Sequence, residues 1–315
     1  MIKAKLLSNL ESYGYVVRIV SVNRLRELQD EIRTRNQQGL FDQEFYQERI
    51  TTLEFNTAPL VMPHAKSIFI IAIPSLQCGV KFTLNGETKT LLLPPTYAGY
   101  ETIPVQIEMQ INSLLASTGY SARHSIRIPL KLLAVRSGLA VYGRNNITYV
   151  SGMGSFLHLI GLYSDFPCEQ DEWQEAKILD RCRNCRACLI KCPTNAIDSE
   201  RFLIRAECCI TFQNEKPSQV LFPQWIDPSA HNSLIGCMIC QKYCPENRKF
   251  KDRVRILAEF SEEETTCLLD SSDAAQDLPP AIMEKLDSLQ IPNILDAFPR
   301  NLRVLFKQST NLKTN

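Results

Sequence analysis

The hydrophobic pattern of this chain divides into helical and strand-like stretches. In "LRELQDEIRTRNQ" apolar residues recur at helical spacing with opposite charges four apart, so a helix is predicted there. "TIPVQIEMQINSLLASTGY" also repeats apolar residues at helical intervals, and Gly119 near its end is placed to cap it. "AKSIFIIAIPS" reads instead as a central buried strand stopped by Pro74. Its apolar core, Ser67–Ile73, is far shorter than the roughly 20 residues needed to cross a bilayer. "NNITYVS" reads as a further strand, and "GSFLHLIGLYSD" as a strand or a short helix. Beyond Cys244 the chain turns polar, in "EFSEEETTCLLDSSDAAQDLPP", before two short helices, "AIMEKLDSLQ" and "FPRNLRVLFKQST". Strands mixed with helices in this way predict an α+β or α/β layered fold.

A length of 315 residues suggests two compact units, or one large unit with a small appendage. With 44% hydrophobic and 22% charged residues, a sizeable core can form. A net charge of +1 gives no broad basic face for nucleic acid. The first twenty residues lack the long apolar stretch and small-residue cleavage site of an export signal, so a cytoplasmic protein without a membrane partner is expected. In that compartment thiols stay reduced, and clustered cysteines point to metal or redox chemistry.

Nine of the twelve cysteines fall between Cys182 and Cys244. The first run is C-x2-C-x2-C-x3-C-P, made by Cys182, Cys185, Cys188, Cys192 and Pro193. The second is C-x2-C-x3-C-P, made by Cys237, Cys240, Cys244 and Pro245. Aligned at their prolines, "CRACLIKCP" and "CMICQKYCP" form an internal repeat, with Leu234 standing where Cys182 has its counterpart. The second run is therefore one ligand short, and Cys208 or Cys209 can supply it.

A cubane iron–sulfur cluster needs four thiolates around one cage, and two-residue gaps let a tight loop reach three of its corners. In two-cluster ferredoxins the fourth cysteine of such a run ligates the other cluster. Proline after it has no N–H to satisfy and fixes the backbone as the chain leaves the cage. Applied here, one [4Fe-4S] cluster takes Cys182, Cys185, Cys188 and Cys244. The other takes Cys192, Cys237, Cys240 and one of the Cys208/Cys209 pair. Zinc sites use two C-x2-C pairs, not a triple run followed by C-P. Cys78, Cys168 and Cys267 read as ordinary thiols. Arg181, Arg183, Arg186 and Lys191 stud the first loop, offsetting thiolate charge or offering a face to an acidic electron donor such as flavodoxin or ferredoxin.

The flanks of these runs resemble epoxyqueuosine reductase, the cobalamin-dependent iron–sulfur enzyme family of queuosine biosynthesis. "LAVRSGLAVYGRNNITYVSGMGSFLHLIGLYSD" is similar to the family's "A-x-x-A-G-L-G-W-x-G-K-N" segment with its later G-S pair. "PLVMPHAKSIFIIAI", "CITFQNE" and "GCMICQKYCPENR" resemble three further family segments, and the second of these favours Cys209 over Cys208. The resemblance implies a nitroreductase-like α/β cobalamin-binding domain over residues 1–178, a bacterial-ferredoxin-like double [4Fe-4S] domain over 179–250, and a helical extension over 251–315. It places Gly143, Arg144, Asn145, Gly154 and Ser155 in the cobalamin-contact stretch, where glycine lets backbone approach a flat macrocycle. Arg144 replaces the family's usual lysine, and Val141 and Tyr142 also depart from its pattern.

The larger departure lies upstream. The family carries a catalytic aspartate in a stretch like "D-x-x-P-x-x-E-R". In "HSIRIPLKLLA" the aspartate position falls on His124 and the glutamate position on Leu130. His124 is then the candidate for the general-acid role that the resemblance gives to the aspartate. No helical-repeat tail of the sort some members use near transfer RNA is recognisable, so transfer RNA is not the expected partner. The resemblance thus implies an oxidoreductase in which two clusters pass electrons to a corrinoid that reduces a small molecule or modified nucleoside. The alternative is an electron-transfer or activation protein that reduces a corrinoid or other centre on a partner.

Overall fold

The apolar run at Ser67–Ile73 is a strand with no solvent side: Ile68, Phe69, Ile70, Ile71 and Ala72 are fully buried. Successive side chains of a strand leave opposite faces of the sheet. Ile68, Ile70 and Ala72 accordingly enter one core, and Phe69, Ile71 and Ile73 another. Each such isoleucine contributes about 1.5–3 kcal/mol by its removal from water.

The structure, a computed structural model, describes residues 2–125, 127–271, 278–291 and 294–311. In chain order the elements begin with α1 (Ile2–Ser12), β1 (Val16–Ser21), α2 (Arg24–Gln37), α3 (Gln43–Phe45) and β2 (Ser67–Pro74). Next come β3 (Gln77–Leu84), β4 (Glu87–Leu93), α4 (Thr102–Leu115), β5 (Ala122–His124) and α5 (Leu130–Arg136). They are followed by β6 (Val141–Tyr142), β7 (Thr148–Tyr149), β8 (Leu157–Ser164), α6 (Ala187–Lys191) and α7 (Ile210–Asn214). The last are α8 (Ile239–Lys242), β9 (Val254–Phe260), α9 (Glu262–Asp270), α10 (Pro280–Ser288) and α11 (Phe298–Asn311).

These elements fall into two compact units. The first comprises the chain up to Ser75, Thr102–Arg186 and Glu200–Leu203. Its sheet runs β1-β2-β8-β5, antiparallel throughout. Helices α1 and α4 cover one face through Leu6, Leu10, Ile107, Ile111 and Leu115. Helices α2 and α5 cover the other through Leu25, Leu28, Ile32, Leu132 and Leu133. The "GSFLHLIGLYSD" stretch is a strand because it lies between β2 and β5 with both faces buried. Within it Gly161 lets α5 approach: a Cβ there would stand 2.8 Å from a Leu130 methyl. The α4 helix ends as its sequence predicts, through a 3-10 turn and Gly119 at φ +76°.

The second unit comprises Leu76–Glu101, Ala187–Ser199 and the chain from Ile204 on. Its sheet runs β4-β3-β9, with β3 antiparallel to β4 and parallel to β9. Asn85 and Gly86, at φ 51° and 72°, make the tight turn of the β3–β4 hairpin. Phe82 and Phe260 stack at 5.0 Å, and Leu268, Ile282, Leu286, Phe298 and Leu302 bring α9, α10 and α11 into the same core. The polar stretch after Cys244 contains a strand and a helix: Ser261 and Glu264 form a reciprocal capping box that starts α9. Residues 272–277 of that stretch lie outside the described residues. The two short helices predicted after it are α10 and α11.

Candidate functional site: a cysteine-rich cluster region and the turn beside it

The two cysteine runs adopt short helical turns. Cys182 sits in the 3-10 turn Asp180–Arg183, and the Cys185 N–H bonds back to the Arg181 carbonyl at 3.2 Å. Cys188 is buried in α6, and Cys192 follows that helix. Cys240 lies in α8, Cys244 follows it, and Pro245 opens the next 3-10 turn where its missing N–H costs nothing. Cys208 ends a 3-10 turn, and Cys209 is the extended residue that opens α7. Cys182 and Cys185 belong to the first unit, and Cys188 and Cys244 to the second.

Cys192, Cys209, Cys237 and Cys240 all belong to the second unit. Burial pushes the Cys209 thiol up to about 11, and nearby Cys237 and Cys192 push in the same direction. Burial raises Cys237 as well, again with Cys192 adding to it. Thiols whose ionisation is opposed by burial and by a neighbouring cysteine need a cationic partner to exist as thiolates, and metal binding supplies one by displacing protons. The sulfurs are also hydrogen-bonded. The Ala196 N–H donates to Cys192 Sγ at 3.3 Å, and Asn232 Nδ2 donates to Cys237 Sγ at 3.2 Å. Such bonds are among the levers that set a cluster's potential. Among the described residues no three His, Cys, Asp or Glu side chains close on a single ion. A cubane presents a different iron corner to each cysteine and so takes a wider set of sulfurs.

The residues expected to contact cobalamin cluster in the first unit. Gly143 begins the turn between β6 and β7, closed by its own N–H to Ile147 at 2.8 Å and by Asn146 to its carbonyl at 3.0 Å. A Cβ at Gly143 would stand 2.5 Å from Asn145 Oδ1 and 2.6 Å from the Tyr149 ring, so this glycine is required by its own turn. That requirement holds whether or not a macrocycle approaches. Asn145 is buried and donates to the Tyr149 hydroxyl at 3.1 Å. Gly154, at φ 63°, bridges back to Val150, and Ser155 beside it is buried. Arg144 Nη2 donates to the Cys182 carbonyl at 2.6 Å, while its buried Nε has no hydrogen-bond partner among the described residues.

A second link runs beside the first. Tyr142 pairs with Ile178 in a parallel bridge, through Tyr142 N to Lys177 O and Leu179 N to Tyr142 O, both 2.8 Å. The turn at 143–146 and the start of the first cysteine run are therefore neighbours. Sequence reading located both segments without showing that they touch.

His124 lies elsewhere, on the edge strand β5, paired to Leu162 of β8. Its backbone N–H donates to Glu108 Oε2 at 2.8 Å. Burial lowers its pKa from the ordinary 6.5, against a smaller pull upward from Glu108. No hydrogen bond or ion pair among the described residues joins it to the 143–155 turn. In the first cysteine loop Arg183 pairs with Asp180 at 3.2 Å, and in the second unit Lys191 lies 5.1 Å over the Tyr243 ring.

Fold and site together define an α+β protein carrying a double iron–sulfur module: residues 181–247 match the 4Fe-4S double cluster binding domain. The chain is similar to epoxyqueuosine reductases. It is 26% identical to that of Staphylococcus aureus over 204 residues, 60% of this chain and 50% of that protein. The chain thus spans about half the length of the curated relatives it matches. Its fold is that of the solved Bacillus subtilis epoxyqueuosine reductase, whose catalytic loop is swung out of the active site: TM-score 0.70, 19% identity, 99% of this chain and 83% of that one. A second epoxyqueuosine reductase structure, holding a tRNA-Tyr epoxyqueuosine-modified stem loop, matches at TM-score 0.69 and 19% identity over 99% and 83%. Among the described residues no helix is long and apolar enough to cross a membrane.

Proposed function

We propose that this chain is an iron–sulfur oxidoreductase of the epoxyqueuosine reductase type, receiving electrons from a low-potential donor such as flavodoxin or ferredoxin. The observation that carries the reading is the gathering of the half-buried Cys192, Cys209 and Cys237 within electrostatic reach of one another, with N–H groups donating to two of their sulfurs. Cys240 completes that set by its place in the repeat, and Cys182, Cys185, Cys188 and Cys244 form the other. The influence of Cys237 and Cys192 on the Cys209 thiol supports Cys209 as the fourth ligand of this set. When bound, two [4Fe-4S] clusters supply one-electron transfer and a corrinoid supplies a strongly reducing cobalt.

The chain's own part is to hold and orient. Arg144 and the Tyr142–Ile178 bridge fix the start of the first cysteine run against the turn at 143–146, which offers backbone to a corrinoid. The buried Arg144 Nε, without a hydrogen-bond partner among the described residues, is a polar atom on that turn that a ligand could engage. Exclusion of transfer RNA from net charge and the absent tail is not supported, because this fold is also that of a protein holding a modified tRNA stem loop. A modified nucleoside, free or within RNA, is the substrate class that the likeness favours.

A second reading, an activation protein that reduces a centre on a partner, is favoured by one observation. His124 and Leu130 stand where the family's two carboxylates are expected, and burial leaves His124 holding its proton less readily near neutral pH. Anaerobically reconstituted protein titrated with cobalamin separates the two. One-to-one binding with a base-off cobalt spectrum supports the enzyme, and absence of binding by cluster-loaded protein leaves the activation role.

A further inference from the structure

The second unit keeps a buried cation beside the cysteine segments just described. Arg300 and Asn301, near the start of α11, are only 7% and 1% exposed. Asn301 Nδ2 donates to the carbonyls of Asn214 at 2.8 Å and Leu234 at 2.9 Å. Asn214 and Gly236 exchange two further bonds: the Asn214 amide donates to the Gly236 carbonyl at 2.6 Å and accepts from its N–H at 2.9 Å. Helix α7, which Cys209 opens, and the loop that enters Cys237 are thereby tied to each other and to one place on α11.

Among the described residues Arg300 has no carboxylate as a hydrogen-bond partner. Its guanidinium donates to the carbonyls of Gln213 at 3.0 Å, Pro217 at 3.2 Å and Val220. The same group lies 4.1 Å over the Phe222 ring, and Phe222 packs at 4.2 Å against His231. His231 precedes Asn232, the residue that donates to Cys237 Sγ. Contacts from Arg300 thus lead to the Cys209 helix on one side and to the Cys237 sulfur on the other. A fixed charge in a low-dielectric interior acts over longer range than one in water. A cluster that gains an electron gains negative charge, so a buried cation nearby favours the reduced form.

We propose that Arg300 is a positioning residue for the second cluster, holding a fixed positive charge against it and raising its reduction potential. This rests on the reading that Cys192, Cys209, Cys237 and Cys240 hold that cluster. The test is an anaerobic redox titration of the full-length, cluster-loaded chain, followed by electron paramagnetic resonance so that each cluster is read separately. Arg300→Gln keeps amide donors for the carbonyls and removes the charge. It is expected to disfavour reduction of one cluster at least tenfold, a fall of about 59 mV for a one-electron couple, and to leave the other unmoved. Arg300→Lys keeps the charge and loses the fork, and is expected to stay within threefold of the parent.

If Arg300→Gln loads both clusters and neither potential moves, or if the lysine variant moves as far as the glutamine one, the proposal is overturned. Should the glutamine variant fail to fold, the sign is read from Asp296→Asn, which removes the acidic neighbour that attracts Arg300. The same cluster's potential then rises, and a fall or no change refutes the assignment. A parent protein that takes up no iron and sulfide refutes the cluster reading itself, which is a different failure.

Discussion

The Arg144 guanidinium donates to the Cys182 carbonyl across 2.6 Å, joining the β6–β7 turn to the first residue of the cysteine runs. A hydrogen bond from a charged donor is worth about 1.5–3 kcal/mol when partly buried. Arg144→Ala should lower stability by about that amount and loosen the Cys182 loop. The expected outcome is a lower melting temperature with diminished retention of one cluster, followed by iron content after gel filtration. Arg144→Lys should recover part of the loss, since lysine keeps the charge but not the fork.

Gly143→Ala tests what the glycine is for. The added methyl meets Asn145 and Tyr149 at 2.5 and 2.6 Å, so the cofactor-free protein should already lose about 1–3 kcal/mol. Denaturant unfolding of protein prepared without cobalamin reads this directly. Unchanged stability would return the glycine to a purely cofactor-facing role.

Neighbouring cysteines should separate cleanly. Cys209→Ser removes the thiol that Cys237 and Cys192 act upon, and about half of the iron and acid-labile sulfide should go with it. Cys208→Ser should load both clusters in full. A reversed pattern would exchange the two assignments.

His231 gives the pH dependence a sign. It is buried, and burial first, then Arg300, lower its pKa from 6.5 to about 4. The unfolded chain therefore binds the proton more readily, and stability falls as pH drops through 6.5 toward 4. Melting temperatures between pH 7.5 and 5.5 should decline toward acid, and His231→Gln should flatten that part of the decline.

Much of this was legible in the sequence because the chemistry is local. The cysteine spacing, the strand at Ser67–Pro74 and the Gly119 stop each depend on residues within a few positions of one another. The β3–β4 hairpin and α9 carry equally local signals, Asn85-Gly86 and the Ser261/Glu264 capping box. What could not be read was long-range. Nothing in "FPRN" announces that Arg300 meets carbonyls 80 to 87 positions away, or that β3 pairs with β9 across more than half of the chain. Arg144 stands where the family has a lysine, and its partner is the Cys182 backbone.

The most direct measurement is the composition of the oxygen-free, reconstituted protein. Eight cysteines sharing two cubanes predict about eight irons and eight acid-labile sulfides per chain, with resonance signals from two clusters on reduction. About one zinc per chain without labile sulfide would contradict the account at its root.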